Sequence, residues 1–251
     1  MHIPRIFEPH PLAPHTEYTL SPEASHHVIT VLRLKPGEPL CLFNGTGGEY
    51  EAVLHAVQRK QVIIQIHTFH PHDPEAPLQI HLGQGLARNE RMDWILQKAV
   101  ELGVHTITPL FTEKSVIRAR GEERIAHRMH HWQQIIINAT EQCGRTRLTV
   151  LNEPVPLHEW YTHPLPSPRF LLEPTLPTET LSGIPTQLTL LVGPEAGFSH
   201  TEIEHARQHG FQGWQLGPRI LRTETAGLAA IAIAHSYWGD LRMIDRDHTT
   251  H

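Results

Sequence analysis

Three charged residues near the end of the sequence lie in stretches rich in glycine and proline. Glu195 lies in GPEAG at 193–197, and Arg222 and Glu224 follow a second glycine-proline pair at 217–218. A carboxylate within hydrogen-bond reach of a ligand can act as a general base, and a guanidinium can stabilise negative charge that develops on the ligand. We therefore treat Glu195, Arg222 and Glu224 as candidate catalytic residues. Glu224 could equally be an acidic residue of a first helical turn, where the helix dipole favours it.

The elements around these stretches indicate how the residues are positioned. The apolar run at 188–192 is typical of a buried strand, and Ser199 with Glu202 forms a capping box that predicts a helix ending at Gly210. Residues 213–216 predict a second strand, and a helix rich in small residues is expected from Ala226 to about Tyr237. Ligands of open α/β sheets bind outside the carboxyl ends of the strands. The sequence therefore predicts a ligand site built from loops that follow strands.

The amino-acid sequences of the two loops are more specific than the spacing of their glycines. That spacing matches neither GxGxxG nor GxxxxGKS/T, which disfavours a dinucleotide fold and a phosphate loop. GPEAGF, followed about twenty residues later by LGPRILRTETA, resembles the signature of the SPOUT superfamily of methyltransferases. Within that superfamily the chain resembles the RsmE family, which methylates N3 of a uridine in 16S ribosomal RNA. The resemblance implies an α/β fold: a SPOUT domain with a parallel sheet and a trefoil knot, preceded by a small PUA-like β-barrel.

The resemblance also implies a cofactor, S-adenosylmethionine, and a homodimer. Three loops would close over the cofactor, with backbone groups binding the adenine. Arg222 could stabilise the charge that develops on the uracil oxygens when N3 loses its proton. The base could be a carboxylate or a histidine, and Glu195 and Glu224 are the nearest carboxylates in sequence. The expected cofactor-binding residues are Leu172, Glu173, Gly193, Pro194, Glu195, Gly197, Leu216, Gly217, Ile220, Leu221, Thr223 and Thr225.

Composition limits the class of protein. The chain has 251 residues and a net charge of −5 with neutral histidines, so any RNA contact must use a local basic patch. Its 2 cysteines are far apart in sequence, which is typical of a protein from a reducing cytosol. The N-terminus lacks the apolar core of a signal peptide, and no apolar run is long enough to span a bilayer. We expect a cytoplasmic protein without a membrane segment. The 22 histidines could suggest metal binding, but their spacing favours a titratable surface, and no metal is expected.

Residues 1–72 predict a small β-rich domain. Ser21 and Pro22 are typical of the start of a short helix, and Asn44-Gly45 predicts a hairpin turn between strands at 40–43 and 49–53. The segment from HHV at 26–28 to LFNG at 42–45 resembles the PUA-like barrel of the RsmE family. Three prolines within 70–77 predict an extended linker, after which residues 77–251 would form the methyltransferase domain.

The second domain alternates strands and helices, which predicts a parallel sheet. A strand is expected at 78–82, a turn at 83–86, a helix at 89–102, a strand at 104–109 and a long helix at 122–143. Lys98 and Glu101 could be neighbours of the active site or a pair on the helix surface.

Basic residues in both domains are candidate contacts for RNA phosphates, although each could also be an ordinary solvated charge. They are Arg5, Arg33, Lys35, Arg88, Lys114, Arg118 and Arg145.

The leading hypothesis is a methyltransferase acting on 16S ribosomal RNA of the small subunit. The alternatives are a SPOUT enzyme with another RNA substrate and an RNA-binding protein that has kept the fold but lost catalysis. The intact glycines of both loops argue against the latter, since an idle cofactor pocket has no reason to keep them.

Overall fold

The computed structural model describes residues 3–115, 122–176 and 183–241. The chain divides into two compact units, one from the N-terminus to Glu75 together with Ile137–Leu148, and the other containing Ala76–Ile136 and the residues from Thr149 onward. The long helix Glu122–Cys143 therefore contributes to both units. The linear domains 1–72 and 77–251 stay a prediction, and neither accounts for the grouping of residues 137–148 with the first unit.

Within the described residues, the first unit contains a five-stranded sheet with the order β1-β3-β4-β5-β2. Strands β1 and β3 are parallel, and the other neighbours are antiparallel. The core between the sheet and its helix includes Ile6, Val28, Leu42, Leu54 and Ile64. The elements are β1 (Arg5–Phe7), β2 (Glu17–Thr19), α1 (Pro22–His26), β3 (Pro39–Phe43), β4 (Glu49–Gln58) and β5 (Gln61–His70).

The start of α1 confirms the predicted cap. The Ser21 hydroxyl accepts a hydrogen bond from the Ala24 amide at 3.3 Å, and proline occupies the first helical turn. The chain then continues as a π-helical segment, His27–Leu32, and ends at Arg33 in the left-handed conformation with φ 56°.

The hairpins of this sheet differ from the prediction in detail. The predicted hairpin forms, but its connection at 44–48 is longer than a two-residue turn, and β4 extends beyond 53 to Gln58. The tight turn from β4 to β5 uses Arg59 and Lys60, both with positive φ. Residues of these types rarely adopt the left-handed region, so the sequence carries no signal for this turn.

Buried ion pairs organise the first unit. Arg5 pairs with Glu49 and donates to the Arg145 carbonyl at 3.0 Å, while the Arg145 Nε donates to Glu75 at 3.1 Å. The side chains of Arg5 and Arg145 are only 12% and 7% exposed. The structure argues against the prediction that they contact RNA phosphates, because carboxylates within the unit already pair with both guanidinium groups. The predicted linker is likewise held in place, because Asp73 pairs with Arg147 at 2.8 Å.

The buried carboxyl of Glu141 makes the stability of the first unit depend on pH. Burial raises the pKa of its carboxyl to about 7, although the hydrogen bond from the Phe7 amide (2.9 Å) and the charge of Arg5 act in the opposite direction. The pKa of Glu141 is higher in the folded state than in the unfolded state. The protonated carboxyl therefore contributes its full stabilising effect only below the pKa of the unfolded state. It is lost as the pH rises through about 7.

Glu141→Gln is expected to remove this loss, because the amide remains an acceptor for Phe7 but carries no charge. At pH 8 the variant should exceed the wild type in free energy of unfolding by roughly 2–3 kcal/mol, and the difference should shrink toward pH 5. Denaturant unfolding at several pH values measures it. Glu123→Gln, at an exposed position of the same helix, is the control, and equal pH profiles for both variants would contradict the assignment.

In the part of the second unit that the structure describes, seven strands form a parallel sheet with the order β12-β10-β11-β6-β7-β8, and β9 pairs with β7. Helix α2 packs against α6, which also contacts β11. The elements are β6 (Gln79–Gly85), α2 (Asn89–Glu101), β7 (Thr106–Phe111), α3 (Glu122–Cys143), β8 (Val150–Leu151), β9 (Val155–Pro156), α4 (Leu157–Trp160), β10 (Arg169–Leu172), β11 (Gln187–Val192), α5 (His200–Gln208), β12 (Phe211–Gly213) and α6 (Thr223–Trp238).

The helices with local signals lie where the sequence predicts them. The capping box is present: Ser199 accepts from the Glu202 amide, and Glu202 accepts from the Ser199 amide. Gly210 follows α5 with φ 80°. The bounds of α2 and α3 match the predicted ranges to within one residue. The parallel sheet is confirmed.

Two predictions in this unit are wrong. Residues 83–85 continue β6 instead of turning, because glycine at these positions allows close packing: a Cβ at Gly83 would lie 2.3 Å from the Trp160 ring. The strand predicted at 213–216 lies at Phe211–Gly213. Beyond it, the Trp214 amide still donates to the Leu171 carbonyl at 2.9 Å, and the Trp214 ring packs against Phe170, with the ring centroids 4.9 Å apart.

None of the helices in the three described ranges combines the length and apolar character needed to cross a membrane.

Candidate functional site

A cleft of about 520 Å³ lies at the carboxyl ends of β10 and β11, within the second unit. Its walls are residues 172–174, residues 192–198 and the segment between β12 and α6, with Arg91 and Lys114 at the margin. The volume falls in the range of small-molecule sites, and the position is the one where open parallel sheets bind ligands.

The structure brings most of the predicted cofactor residues together. Every member of that set except Thr225 lines the cleft, and Arg222 lines it as well. Helix α6 begins at Thr223, earlier than predicted. Thr223 and Ala226 are three residues apart on one helical face and both line the cleft, whereas Thr225 is exposed and does not. The position of Thr225 argues against its inclusion among the cofactor-binding residues.

Two glycines open the backbone of the loops to a ligand. Gly197 and Gly217 have φ values of 67° and 79°, and a Cβ at either would meet no atom within 4 Å. Gly193 is different, because a Cβ there would lie 3.1 Å from the Phe198 ring. The backbone is therefore accessible at Gly197 and Gly217, whereas the start of the first loop is tightly packed at Gly193. This arrangement suits a ligand that is bound by backbone amides and carbonyls. Ile220 is 87% exposed at its margin and offers an apolar surface.

A buried hydrogen-bonded chain supports the first of the glycine loops. The Thr223 hydroxyl donates to the Gly193 carbonyl, and the Gln84 amide donates to the Thr223 oxygen at 3.0 Å and to the Gly85 carbonyl at 2.9 Å. Gln84 is fully buried at the end of β6. Sequence reasoning missed it because the glycines on either side favoured a turn.

Glu195 is held from two directions. It accepts a hydrogen bond from the Arg88 amide at 3.0 Å, and Arg91 pairs with it at 3.2 Å. Partial burial acts to raise the pKa of Glu195, but the Arg88 amide and the Arg91 guanidinium outweigh it and hold the pKa below its ordinary value. Glu195 is therefore ionised at neutral pH, and its carboxylate is bound by the Arg88 amide and the Arg91 guanidinium.

Arg91 also reaches Glu224, with 4.0 Å between its Nε and the carboxylate. Sequence reasoning missed Arg91 because it lies on the polar face of α2. A signal was present, since a basic residue in the first turn of a helix after a strand lies at the same sheet edge as the other loops. Glu224 itself does not line the cleft but lies in the first turn of α6, as its alternative interpretation expects.

Basic side chains surround the cleft. Arg222 is the N-cap of α6 and is exposed. Lys114 donates to the Phe198 carbonyl at 2.8 Å. Among the described lining residues, basic side chains (Arg91, Lys114, Arg219 and Arg222) outnumber acidic ones (Glu173 and Glu195). This balance favours a ligand that carries or develops negative charge.

The remaining candidate RNA contacts are distributed as follows. Arg33, Lys35 and Arg88 are exposed, and Arg118 lies outside the described residues. Lys98 and Glu101 pair with each other at 2.7 Å and do not line the cleft, so the surface-pair interpretation applies to them. Within the described ranges, no cluster of three or more histidine, cysteine or acidic side chains is arranged to hold a metal ion.

Two family models match the chain. The model for an RNA methyltransferase domain covers residues 74–235, and the model for an RNA methyltransferase PUA domain covers residues 20–66. The ribosomal RNA small subunit methyltransferase E of Buchnera aphidicola subsp. Schizaphis graminum is 35% identical over 246 residues, which are 95% of this chain and 98% of the relative. The corresponding Bacillus subtilis protein is 26% identical over 235 residues, 89% of this chain and 91% of that protein.

Solved structures give the same result. A methyltransferase from Legionella pneumophila with bound S-adenosylmethionine is 40% identical, with a TM-score of 0.92 over 96% of this chain and 100% of that one. A ribosomal RNA small subunit methyltransferase E from Neisseria gonorrhoeae, also bound to S-adenosylmethionine, is 34% identical, with a TM-score of 0.88 and the same coverage.

Proposed function

Because the chain belongs to the family of ribosomal RNA small subunit methyltransferase E, we propose that it transfers a methyl group from S-adenosylmethionine to N3 of a uridine in 16S ribosomal RNA. The observation that carries the proposal is the cleft at the carboxyl ends of β10 and β11, with its two open glycines and its excess of basic side chains. The proposed site of action is the cytoplasm, where small ribosomal subunits are assembled.

The residues of the cleft fit the cofactor. Backbone groups near Gly197 and Gly217 would bind its polar edges, and Leu216, Ile220 and Leu221 would pack on its adenine. The cofactor supplies an electrophilic methyl group on a sulfonium. The loops hold the acceptor in line with that group, and such positioning can lower a barrier by roughly 7–11 kcal/mol.

Arg222 is the proposed catalytic residue. Its exposed side chain lies at the cleft, where it would stabilise the negative charge on the uracil oxygens as N3 loses its proton to water. Glu195 is poorly suited to act as the base, because its lowered pKa and its ion pair with Arg91 weaken its proton affinity. We assign Glu195 and Glu224 to holding Arg91 and the loops.

Two finer features are part of the proposal. A trefoil knot is proposed from the resemblance of GPEAGF and LGPRILRTETA to the signature of the SPOUT superfamily. A homodimer is supported by two exposed aromatic side chains on the neighbouring helices α2 and α6, Trp94 at 58% and Tyr237 at 68%. Sedimentation of the purified protein would reveal the dimer.

Arg33 and Lys35 are the proposed RNA contacts of the first unit. Arg33→Gln/Lys35→Gln should weaken RNA binding and reduce the slope of log K against log salt by roughly 1–2, since each lost phosphate contact removes about one released counterion. Glutamine removes the charge but keeps an unbranched polar side chain at the left-handed Arg33. Titrations at several salt concentrations measure the slope, with Arg207→Ala on α5 as a control. An unchanged slope in the double variant would contradict the assignment.

The function is tested with labelled S-adenosylmethionine and small ribosomal subunits from cells that lack this protein, with free 16S RNA in parallel. Label in one uridine, at N3, is the expected result. Label in another base or in ribose would overturn the reaction. Binding of the cofactor without label on either substrate would favour another RNA or a non-catalytic RNA-binding protein.

A further inference from the structure

Gln84 is a buried polar residue to which the proposed mechanism gives no role. Its side chain lies at the carboxyl end of β6, is fully buried and does not line the cleft. Burying a primary amide is unfavourable unless its donors and acceptors find partners. The position therefore calls for an explanation other than contact with a ligand.

The neighbours of Gln84 fix the direction of its hydrogen bonds. The Gly85 carbonyl can only accept, so the amide nitrogen of Gln84 must face it, at 2.9 Å. The same nitrogen donates to the Thr223 oxygen at 3.0 Å, which leaves the Thr223 proton to go to the Gly193 carbonyl. The Gln84 nitrogen also lies 3.5 Å from the Gly193 carbonyl itself, but its two protons are directed by the two shorter bonds. The main chain of donors thus runs from Gln84 to Thr223 to Gly193.

This chain joins the three elements that shape one side of the cleft. Gln84 belongs to β6, Gly193 begins the glycine loop after β11, and Thr223 is the first residue of α6, directly after Arg222. Gly227 of α6 also lies beside Gln84, because a Cβ there would be in ordinary van der Waals contact with the Gln84 oxygen at 3.6 Å. The arrangement fixes the loop and the start of α6 relative to each other.

The side-chain oxygen of Gln84, in contrast to its nitrogen, makes no hydrogen bond that joins these elements. Among the described residues, its Oε1 has no hydrogen-bond partner although it is buried. A buried carbonyl without a donor lowers stability, which offsets the bonds made by the nitrogen. A residue kept for stability alone would be better replaced by an apolar one.

We propose that Gln84 is a positioning residue for cofactor binding, acting through Thr223 on the Gly193 carbonyl and the loop that follows it. The inference deepens the proposed function and rests on its cofactor. The role is indirect, since Gln84 itself touches neither ligand.

The test compares Gln84→Met, Thr223→Val and the double variant by calorimetric titration with S-adenosylmethionine in the absence of RNA. Each single variant should weaken the affinity by about tenfold, as expected for one lost buried hydrogen bond. The double variant should be little weaker than either, because the two residues act in series. Thr223→Ser should restore the affinity.

Thermal melting separates positioning from stability. Gln84→Met should melt within a few degrees of the wild type, because the unpartnered oxygen is removed along with the bonds. Thr189→Val is the matched control: Thr189 is also buried on a strand and donates to the Pro166 carbonyl at 2.8 Å, but it does not line the cleft. It should bind the cofactor normally.

Unchanged affinity in Thr223→Val, additive losses in the double variant, or an equal loss in Thr189→Val would each overturn the inference. Failure of the wild type to bind S-adenosylmethionine would contradict the proposed function instead. The two failures are therefore distinguishable.

Discussion

Replacing Arg222 with alanine is expected to lower kcat for methyl transfer by on the order of 10²–10³-fold, the typical cost of removing one group that stabilises a developing anion. The Kd for S-adenosylmethionine should change much less. Arg222 is exposed at the cleft and caps α6 without a side-chain hydrogen bond to the helix, so its loss leaves the fold intact. Steady-state measurements with saturating cofactor and RNA give kcat, single-turnover measurements give the rate constant of methyl transfer itself, and calorimetry gives Kd.

Two further variants sharpen this result. Arg222→Lys keeps the charge but not the planar fork, so it should retain part of the activity. Arg207→Ala removes an exposed arginine from α5, away from the cleft lining, and should behave like the wild type. If Arg222→Ala kept full turnover, the residue would have no role in stabilising the uracil anion.

Gly85→Ala is expected to weaken cofactor binding by roughly 5–150-fold, the range that corresponds to 1–3 kcal/mol of overpacking. A Cβ at Gly85 would lie 2.6 Å from both the nitrogen and the Cδ of Pro194, so the loop backbone itself must move. That displacement acts directly on residues 193–197, which line the cleft. Titration of the variant with S-adenosylmethionine measures the effect.

Gly83→Ala is the contrasting variant on the same strand. Its new Cβ would meet the Trp160 ring at 2.3 Å instead of a cleft loop. The variant should lose stability by roughly 1–3 kcal/mol while its folded fraction binds the cofactor normally. If both substitutions changed affinity and melting temperature in the same proportion, Gly85 would have only a general packing role.

The parts of the fold that the sequence predicts well are those with local causes. Helix α5 has its capping box and its terminal glycine within a dozen residues, and α2 and α3 each end within two residues of a glycine with positive φ. The two glycine loops are recognisable as a ligand site because their sequences resemble those of a known family. Most of their residues line one cleft.

The errors have distant causes. Gly83 and Gly85 belong to a strand because Trp160 and Pro194 pack on them, and neither partner is near in sequence. Arg145 is an exposed-looking arginine at the end of a helix, yet Glu75, seventy residues earlier, buries it in an ion pair. Such pairings depend on the tertiary fold and leave no periodic signal in the chain.

The composition of the first unit has a consequence for synthesis. In its interior, Glu141 accepts a hydrogen bond from the Phe7 amide, and Arg145 forms an ion pair with Glu75. A nascent chain that has reached residue 75 therefore still lacks the acceptor for one strand amide and the cation for one carboxylate. The N-terminal unit is completed only after about twice that length has been synthesised, so the first 75 residues alone cannot make all of its contacts.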